Sequence, residues 1–585
     1  MRESTSNKIL NLSILIAIIA NIIVFSSFGS VLLSSVLNNN VPSGAILRVA
    51  RTSNPVTIDP VDTWDSVSND ILDQVVETLI AYDLTDPDLP LVGRLAESWY
   101  WPNNRTIEFK LRENVFFHDG SQFTADSVLH TITRINFFGN WSGTLDPATH
   151  VMAFPHSLYK FEDGIPIFNE TLSFTTDDYN VTLILNRPFG PVEGLLAYTA
   201  SAIVHPDSTP ADKMLDLSED LVVGTGPFKL IRYIPNSEVR FARWERYWRT
   251  GAYWDEIIYV YYRDAVSANN AMLTGKIDWL GQGLASFNPS YWSEPDITVT
   301  GDGVNDYING SIYWYLEFKS EWINKTWRKA ISHAFNYSYL IHEIEEDTVV
   351  RANSLVPPGF PAHNYSTKGA NYDIPLARQY LQKMGYGVGW EVGTMNADQF
   401  TPGADEALWQ AAQFIPDVGN FTSNQWNFRH RQGSHFMELF IQRFTEDMDL
   451  IGINVVPYDP CGWWDFCWPD PKSIYERVHI YYVGWGPDYF ESFNMIDPLV
   501  NPESSSNFAR INDPQINALL AKTVAETDTT QRHKYYKKLQ YLIIEKYAYH
   551  MPLTYDKFYN VHAANLEDVP YNCMRSEYWY PTYRA

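Results

Sequence analysis

Hydrophobic positions along the 585-residue chain fall into two regimes. Residues 9–37, ILNLSILIAIIANIIVFSSFGSVLLSSVL, are almost unbroken apolar sequence. From about residue 41 onward, apolar and polar positions alternate with periods of two or of three to four. AILRVA alternates like a strand and runs into NPVTIDP, whose prolines stop it. In SVSNDILDQVVETLI, Ile71, Val75, Val76 and Leu79 recur at helical spacing, which predicts a helix over 66–80.

The segment RTIEFKLRENVFFHDGSQFTADSVLHTITRI carries the clearest supersecondary pattern. Ile107, Phe109 and Leu111 alternate as a strand, HDG supplies a turn, and Thr124 caps a helix with Val128, Leu129, Ile132 and Ile135 on one face. Further along, VGTGPFKLIRY reads as a Gly-Pro turn entering a strand, WDEIIYVYYRD as a strand, and AVSANNAMLTGKID as a helix stopped at Gly275. TWRKAISHAFNYSYLIHEI and FMELFIQRFTEDMDLI read as helices, the latter followed by the strand INVVPY, and VHIYYVGW as a strand. A last helix, TTQRHKYYKKLQYLIIEKYA, leads to MPLTYDKFYNV. Strands alternating with helices predict α/β layers on mixed sheets.

At roughly 100 to 200 residues per domain, the length predicts three to five domains' worth of core. The net charge of −26 is carried by the body, because Arg2, Glu3 and Lys8 leave residues 1–40 slightly positive. Such a field repels nucleic acid. Lys8 and Arg2 precede the apolar segment and orient it with the N-terminus inside, so the body is exported. SSFGS could mark a signal cleavage site, and the apolar residues after it equally allow an uncleaved membrane anchor. Sequons at Asn104, Asn140, Asn169, Asn180, Asn309, Asn324, Asn336, Asn364 and Asn420 agree with export. Outside the cell, Cys461 and Cys467 read as a disulfide closing a short loop, with Cys573 alone.

Catalytic and metal motifs are sparse. His342-Glu343 lacks the second histidine of a zinc-protease helix, no Gly-x-Ser-x-Gly occurs, and VGTGPFKL lacks the Lys-Ser/Thr of a phosphate loop. His430 and His435 sit in a polar stretch and read as solvated loop histidines. Asp119 and His118 read as turn residues. Paired carboxylates for glycoside hydrolysis are not singled out. No cofactor is implied.

The segments TIDP, LAESW, FKLRENVFFHDGSQFTADSV, VGTGPFKL, WDEIIYVYYRD with LTGKID, WRKAISHAFN, SLVPPG, IGINVV, GWGPDYFE and MPLTYDKFY stand in one order that resembles a known family. It is the family 5 extracellular solute-binding proteins, which includes the oligopeptide- and dipeptide-binding proteins of ABC importers. The stretches 136–180 and 390–435 and the insert WWDFCWPDPKS depart from the common pattern. The resemblance implies a large, two-lobed, periplasmic-binding-protein-like α/β fold with a hinge. After the leader or anchor of residues 1–40, domain I would be assembled from 41–80, 200–303 and 551–585. Domain II would span 81–199 and domain III 304–550, with chain crossings near 303–306 and 550.

The resemblance also implies a non-enzymatic receptor that captures a peptide and presents it to an ABC permease driven by separate ATPase subunits. Monomer is the default for a hinge-closing capture protein. Asp488, two residues beyond Gly484-Trp485, matches the aspartate that pairs with the ligand's α-ammonium in peptide-binding members. The backbone at Val483, Gly484 and Gly486 could add an extended peptide as a strand. Trp485 is a cleft wall or core, Trp64 and Asp65 are further candidates at the first crossing, and Trp463 and Trp464 read as packing. Without the resemblance, Asp488 is an ordinary turn residue. Rival readings are the same fold binding an oligosaccharide or a metal chelate, a secreted hydrolase, or a receptor that senses without import.

Overall fold

The computed structural model describes residues 45–584 except 64, 140–158, 162, 251, 282–293, 301–307, 420, 422–423, 431–434, 459–476, 505 and 575–577. The apolar leader, Trp64, Trp463, Trp464, Cys461, Cys467, Asn140 and Asn420 therefore lie outside the described residues. Among the described residues, no helix is long and apolar enough to cross a membrane.

Three sheets carry the architecture, and they form two lobes. A seven-stranded mixed sheet has the order 297–300, 560–563, 279–280, 46–51, 256–261, 238–243, 228–234. Its central strand Ile46–Arg51 runs parallel to Glu256–Tyr261, with Val49 opposite Tyr259. One face packs on the helix Ser66–Val75 through Leu47, Val49, Ile71, Leu72, Val75 and Tyr259. The other packs on the helix Ala265–Leu273 through Ala50, Ala268, Met272 and Leu280. Beside it, an antiparallel four-stranded sheet (96–103, 106–111, 180–184, 174–177) is covered by the helix Ala125–Gly139.

The second lobe is a six-stranded mixed sheet in the order 349–351, 550–558, 308–318, 480–485, 426–429, 455–457. Both faces are covered, so its inner strands read as continuous apolar runs. Along Ile480–Trp485 the side chains divide by parity. Ile480 and Tyr482 join Trp327, Phe440 and Phe444, while Tyr481 and Val483 join Met495, Leu520 and Leu539.

TIDP and HDG have structural duties. Asp59 accepts two hydrogen bonds from buried Arg134, at 2.9 and 2.5 Å, and one from the Leu215 N–H at 2.8 Å, tying three stretches together. His118 is buried in the HDG turn, where its Nε2 lies 2.9 Å from the Gly226 carbonyl. A Cβ on Gly224 would sit 1.9 Å from the Val75 carbonyl oxygen, so the VGTGPF turn needs glycine for this close approach.

Four expectations are corrected. The helix expected over 66–80 ends at Val75, with Val76 extended and the Gly224–Gly226 turn pressed on the carbonyl of Val75. The helix expected over TWRKAISHAFNYSYLIHEI breaks at Phe335, because Asn336 accepts the Tyr339 N–H and caps a new turn. His430 is buried rather than solvated, following the buried strand Trp426–Arg429. The chain leaves the six-stranded sheet after Phe558 and enters the seven-stranded sheet at Asn560, so the second crossing lies at Tyr559 rather than near 550. HMPLTYDKFYNVHA is one unbroken β-rich run, and nothing in it signals where it changes sheets.

Candidate functional site

The stretch VGWGPDYFE lies where the two lobes meet. Ile480–Trp485 pairs antiparallel with Tyr313–Phe318 along its whole length, but on its other side only Ile480 and Tyr481 pair, with Phe428 and Arg429. From Tyr482 to Gly484 that edge pairs with no described strand. Gly484 is required by the sheet itself, since a Cβ there would lie 2.4 Å from the Trp314 ring. The Trp485 indole N–H donates to the Asn494 carbonyl at 2.9 Å, and Pro487, with no N–H, ends the strand.

Asp488 follows at once, held in place by Asn494. Its own N–H donates to Asn494 Oδ1 and its Oδ2 accepts from Asn494 Nδ2, both at 2.8 Å. Among the described residues it has no ion-pair partner. Burial raises its carboxyl to about 7, and the Asn494 hydrogen bond only partly opposes that rise.

Asp488 lines a cavity of about 780 Å³ between the lobes. That is within the range of small-molecule sites. Gly486, Pro487, Tyr489, Ser311 and Ile312 complete the wall from the six-stranded lobe. The opposite wall is built on the helix Ser66–Val75. Asp65 is its N-cap, accepting the Ser68 N–H at 2.9 Å, and Asp65, Asn69 and Asp73 recur every four residues along the cavity face. The apolar face with Ile71, Leu72 and Val75 turns to the sheet.

The electrostatics of this wall are graded. Glu77 is fully engaged, accepting from Thr225, Tyr247 and Trp248 at 3.0, 2.7 and 2.9 Å and pairing with Arg94 at 4.0 Å. Asp73 accepts from the Thr199 hydroxyl at 2.5 Å, yet burial lifts its carboxyl to about 6. Burial also raises Asp65, more than the Ser68 hydrogen bonds lower it. Tyr198 donates to the Thr63 carbonyl at 2.9 Å. Its phenol is pushed far up by burial first, then by Asp488, with a smaller push from Asp65, which places carboxylates of both lobes around one hydroxyl.

The lobes are closed on each other beside the cavity. The Gly190 N–H donates to the Val524 carbonyl at 2.8 Å, and Phe189 meets Phe493 edge to face at 5.6 Å. Tyr82 meets Phe490 the same way, also at 5.6 Å, and Tyr489 joins the core of the opposite lobe.

The structure thus brings Asp488, Gly486 and Asp65 together around one cavity. Gly484 and Trp485 are not among its lining residues, because the Trp485 ring is tied back to Asn494 and Gly484 faces Trp314. Trp64 lies outside the described residues. Sequence reasoning did not single out Asn69, Asp73, Arg94, Tyr198 or Tyr489. The period-four polar stripe Asp65, Asn69, Asp73, opposite the apolar face of the same helix, was the available signal.

A two-lobed α/β protein that closes a polar cavity at a strand end has the form of a solute-binding protein. The model for "Bacterial extracellular solute-binding proteins, family 5 Middle" matches residues 90–507, more than half of the chain, and the chain belongs to this family. The glutathione-binding protein GsiB of Escherichia coli K12 is 24% identical over 528 residues, covering 88% of this chain and 90% of the relative. Helicobacter pylori DppA, solved in complex with the peptide STSA, superposes with a TM-score of 0.71 at 19% identity, covering 92% of this chain and 98% of that one. The dipeptide-binding protein of Pseudoalteromonas sp. SM9913 with Met-Leu gives a TM-score of 0.70 at 20% identity, covering 92% of this chain and 100% of that one. These likenesses fix the fold.

Proposed function

We propose that this protein is a peptide receptor. An extended ligand enters between the open lobes, adds its backbone to the strand end at Val483, Gly484 and Gly486, and sets its α-ammonium on Asp488. The observation that carries this reading is a buried carboxylate with no cationic partner among the described residues, held by Asn494 at a strand end in the interlobe cavity. A buried carboxylate is costly without a cation, so a charge-assisted bond from an ammonium group gains twice, by pairing and by relieving that cost. Peptides of differing sequence share this group. Glutathione, STSA and Met-Leu, the ligands named for the relatives above, are all peptides in the broad sense.

The protein then acts by capture and delivery rather than by chemistry. It hands the peptide to an ABC permease served by separate ATPase subunits, outside the cell, either tethered by residues 9–37 or released after cleavage, and as a monomer. The oligosaccharide reading is less well supported, because the described aromatic lining consists of Tyr82, Tyr198, Tyr489 and Tyr578, without a tryptophan platform.

Thermal unfolding with peptides bearing free or acetylated N-termini tests the reading. A native-state ligand raises the melting temperature by mass action. Stabilisation by free-amine peptides that acetylation abolishes supports it. Equal stabilisation by acetylated peptides, or stabilisation by oligosaccharides alone, refutes it.

A further inference from the structure

The charge on the cavity wall exceeds what one ammonium group can match. Asp65, Asp70, Asp73, Glu77 and Asp488 all line it, against Arg94 as the one described cationic side chain. Two of the five are answered within the protein. Asp70 pairs with Arg51 at 3.4 Å, and Glu77 has Arg94 and three further donors. Arg94 is also engaged by Tyr578, whose hydroxyl oxygen accepts from it at 2.8 Å. Asp488, Asp65 and Asp73 form no ion pair among the described residues.

These three carboxylates stand on two lobes. Asp488 sits alone on its side, while Asp65 and Asp73 lie two helical turns apart on the facing helix, about 12 Å along its axis at 1.5 Å per residue. Asp65 Oδ2 is buried without a hydrogen-bond partner among the described residues, while Oδ1 accepts the Ser68 N–H, so this carboxylate keeps an acceptor to spare. One α-ammonium on Asp488 leaves Asp65 and Asp73, which share one helix of the facing lobe, without an ion-pair partner on the cavity wall, although Arg94 lowers Asp73 from a distance. A second positive group on the ligand can meet them there.

We propose that the cavity selects peptides that carry a basic side chain, with the α-ammonium on Asp488 and the side-chain cation on the Asp65–Asp73 face of the helix. This deepens the peptide reading and rests on it. It also gives the period-four stripe a role, because a helix face that merely bordered solvent would need no buried, unpaired carboxylate oxygen. A cation spanning the gap links the lobes as well as filling the site, so basic peptides both bind and close the protein.

Calorimetric titration of the full chain at neutral pH and low salt with Ala-Ala-Ala, Ala-Lys-Ala and Ala-Glu-Ala, all with free N-termini, provides the test. The lysine peptide is expected to bind at least about tenfold tighter than the alanine peptide, and the glutamate peptide weaker than either. In Asp73→Asn the ratio of lysine to alanine affinity collapses toward one. Asp65→Asn, which preserves the helix cap, gives a second arm should the first variant fail to fold. Equal affinity for Ala-Lys-Ala and Ala-Ala-Ala, or a preference unmoved by both substitutions, overturns the proposal and leaves the peptide reading standing. If none of the three peptides binds, both fall together.

Discussion

Asp488 and Asn494 hold each other through two hydrogen bonds of 2.8 Å, backbone N–H to Oδ1 and Nδ2 to Oδ2. The pair fixes a carboxylate in the cavity without neutralising it. An amide donor orients the group and leaves its charge to be met by something else.

The first consequence is a conflict between stability and binding. The folded carboxyl of Asp488 stands near 7, above the 3.8 of a free aspartate. The native state therefore holds this proton more tightly than the unfolded chain, and the stability it contributes is lost as pH rises from about 4 through 7. Asp488→Asn keeps both Asn494 bonds and has no charge to bury. It is expected to stabilise the ligand-free protein at pH 8 by about 1–2 kcal/mol, with the gap shrinking toward pH 4, while ligand-induced stabilisation disappears. Denaturant unfolding at the two pH values checks it.

His118 titrates with the opposite sign. Burial holds it down to about 4 against an ordinary 6.5. Its folded value lies below its unfolded one, so the stability present above pH 6.5 is lost as pH falls toward 4, by up to ~3 kcal/mol. Replacement of His118 by Gln should flatten this acid limb of the stability profile at some cost at neutral pH.

Gly190 is the contact at which closure is most exposed to mutation. A Cβ there would lie 2.0 Å from the Glu526 carbonyl oxygen, across the lobe boundary. Gly190→Ala is expected to disfavour the closed state and weaken ligand binding roughly tenfold, while the melting temperature of the ligand-free protein changes little. Small-angle scattering should then show a protein that stays extended at ligand concentrations that compact the wild type.

Gly224 tests the fold rather than the site. With a Cβ placed 1.9 Å from the Val75 carbonyl, Gly224→Ala must push the VGTGPF turn off the end of the helix Ser66–Val75. A loss of roughly 3 kcal/mol or more in denaturant unfolding is expected.

Much of this was legible from residue patterns. AILRVA, WDEIIYVYYRD and VHIYYVGW are strands, and the helix of AVSANNAMLTGKID stops where Gly275 takes a φ of +64°. Asp488 and Asp65 are singled out by the family resemblance, since from the residues alone Asp488 reads as an ordinary turn residue. Of the two readings open for Trp485, cleft wall or core, the sequence does not choose, because the ring's partner, Asn494, is nine residues on; the backbone role of Gly484 does not depend on a side chain at all. Asp73 carries no signature of its own, because only the fold puts it on the wall of the cavity that Asp488 also lines. The change of sheet at Tyr559 was hidden for a related reason, since local β propensity does not say which sheet a strand joins.

The most direct test of Asp488 as the ammonium anchor is proton counting during binding. Titration of a free-amine peptide into the protein by calorimetry, at pH 6 in buffers of different ionisation enthalpy, gives the number of protons exchanged. With the free carboxyl near 7 and the ligand amine near 8, binding at pH 6 should release close to one proton from Asp488, and Asp488→Asn should release none. Binding at pH 6 with no buffer dependence in the wild type would contradict the account.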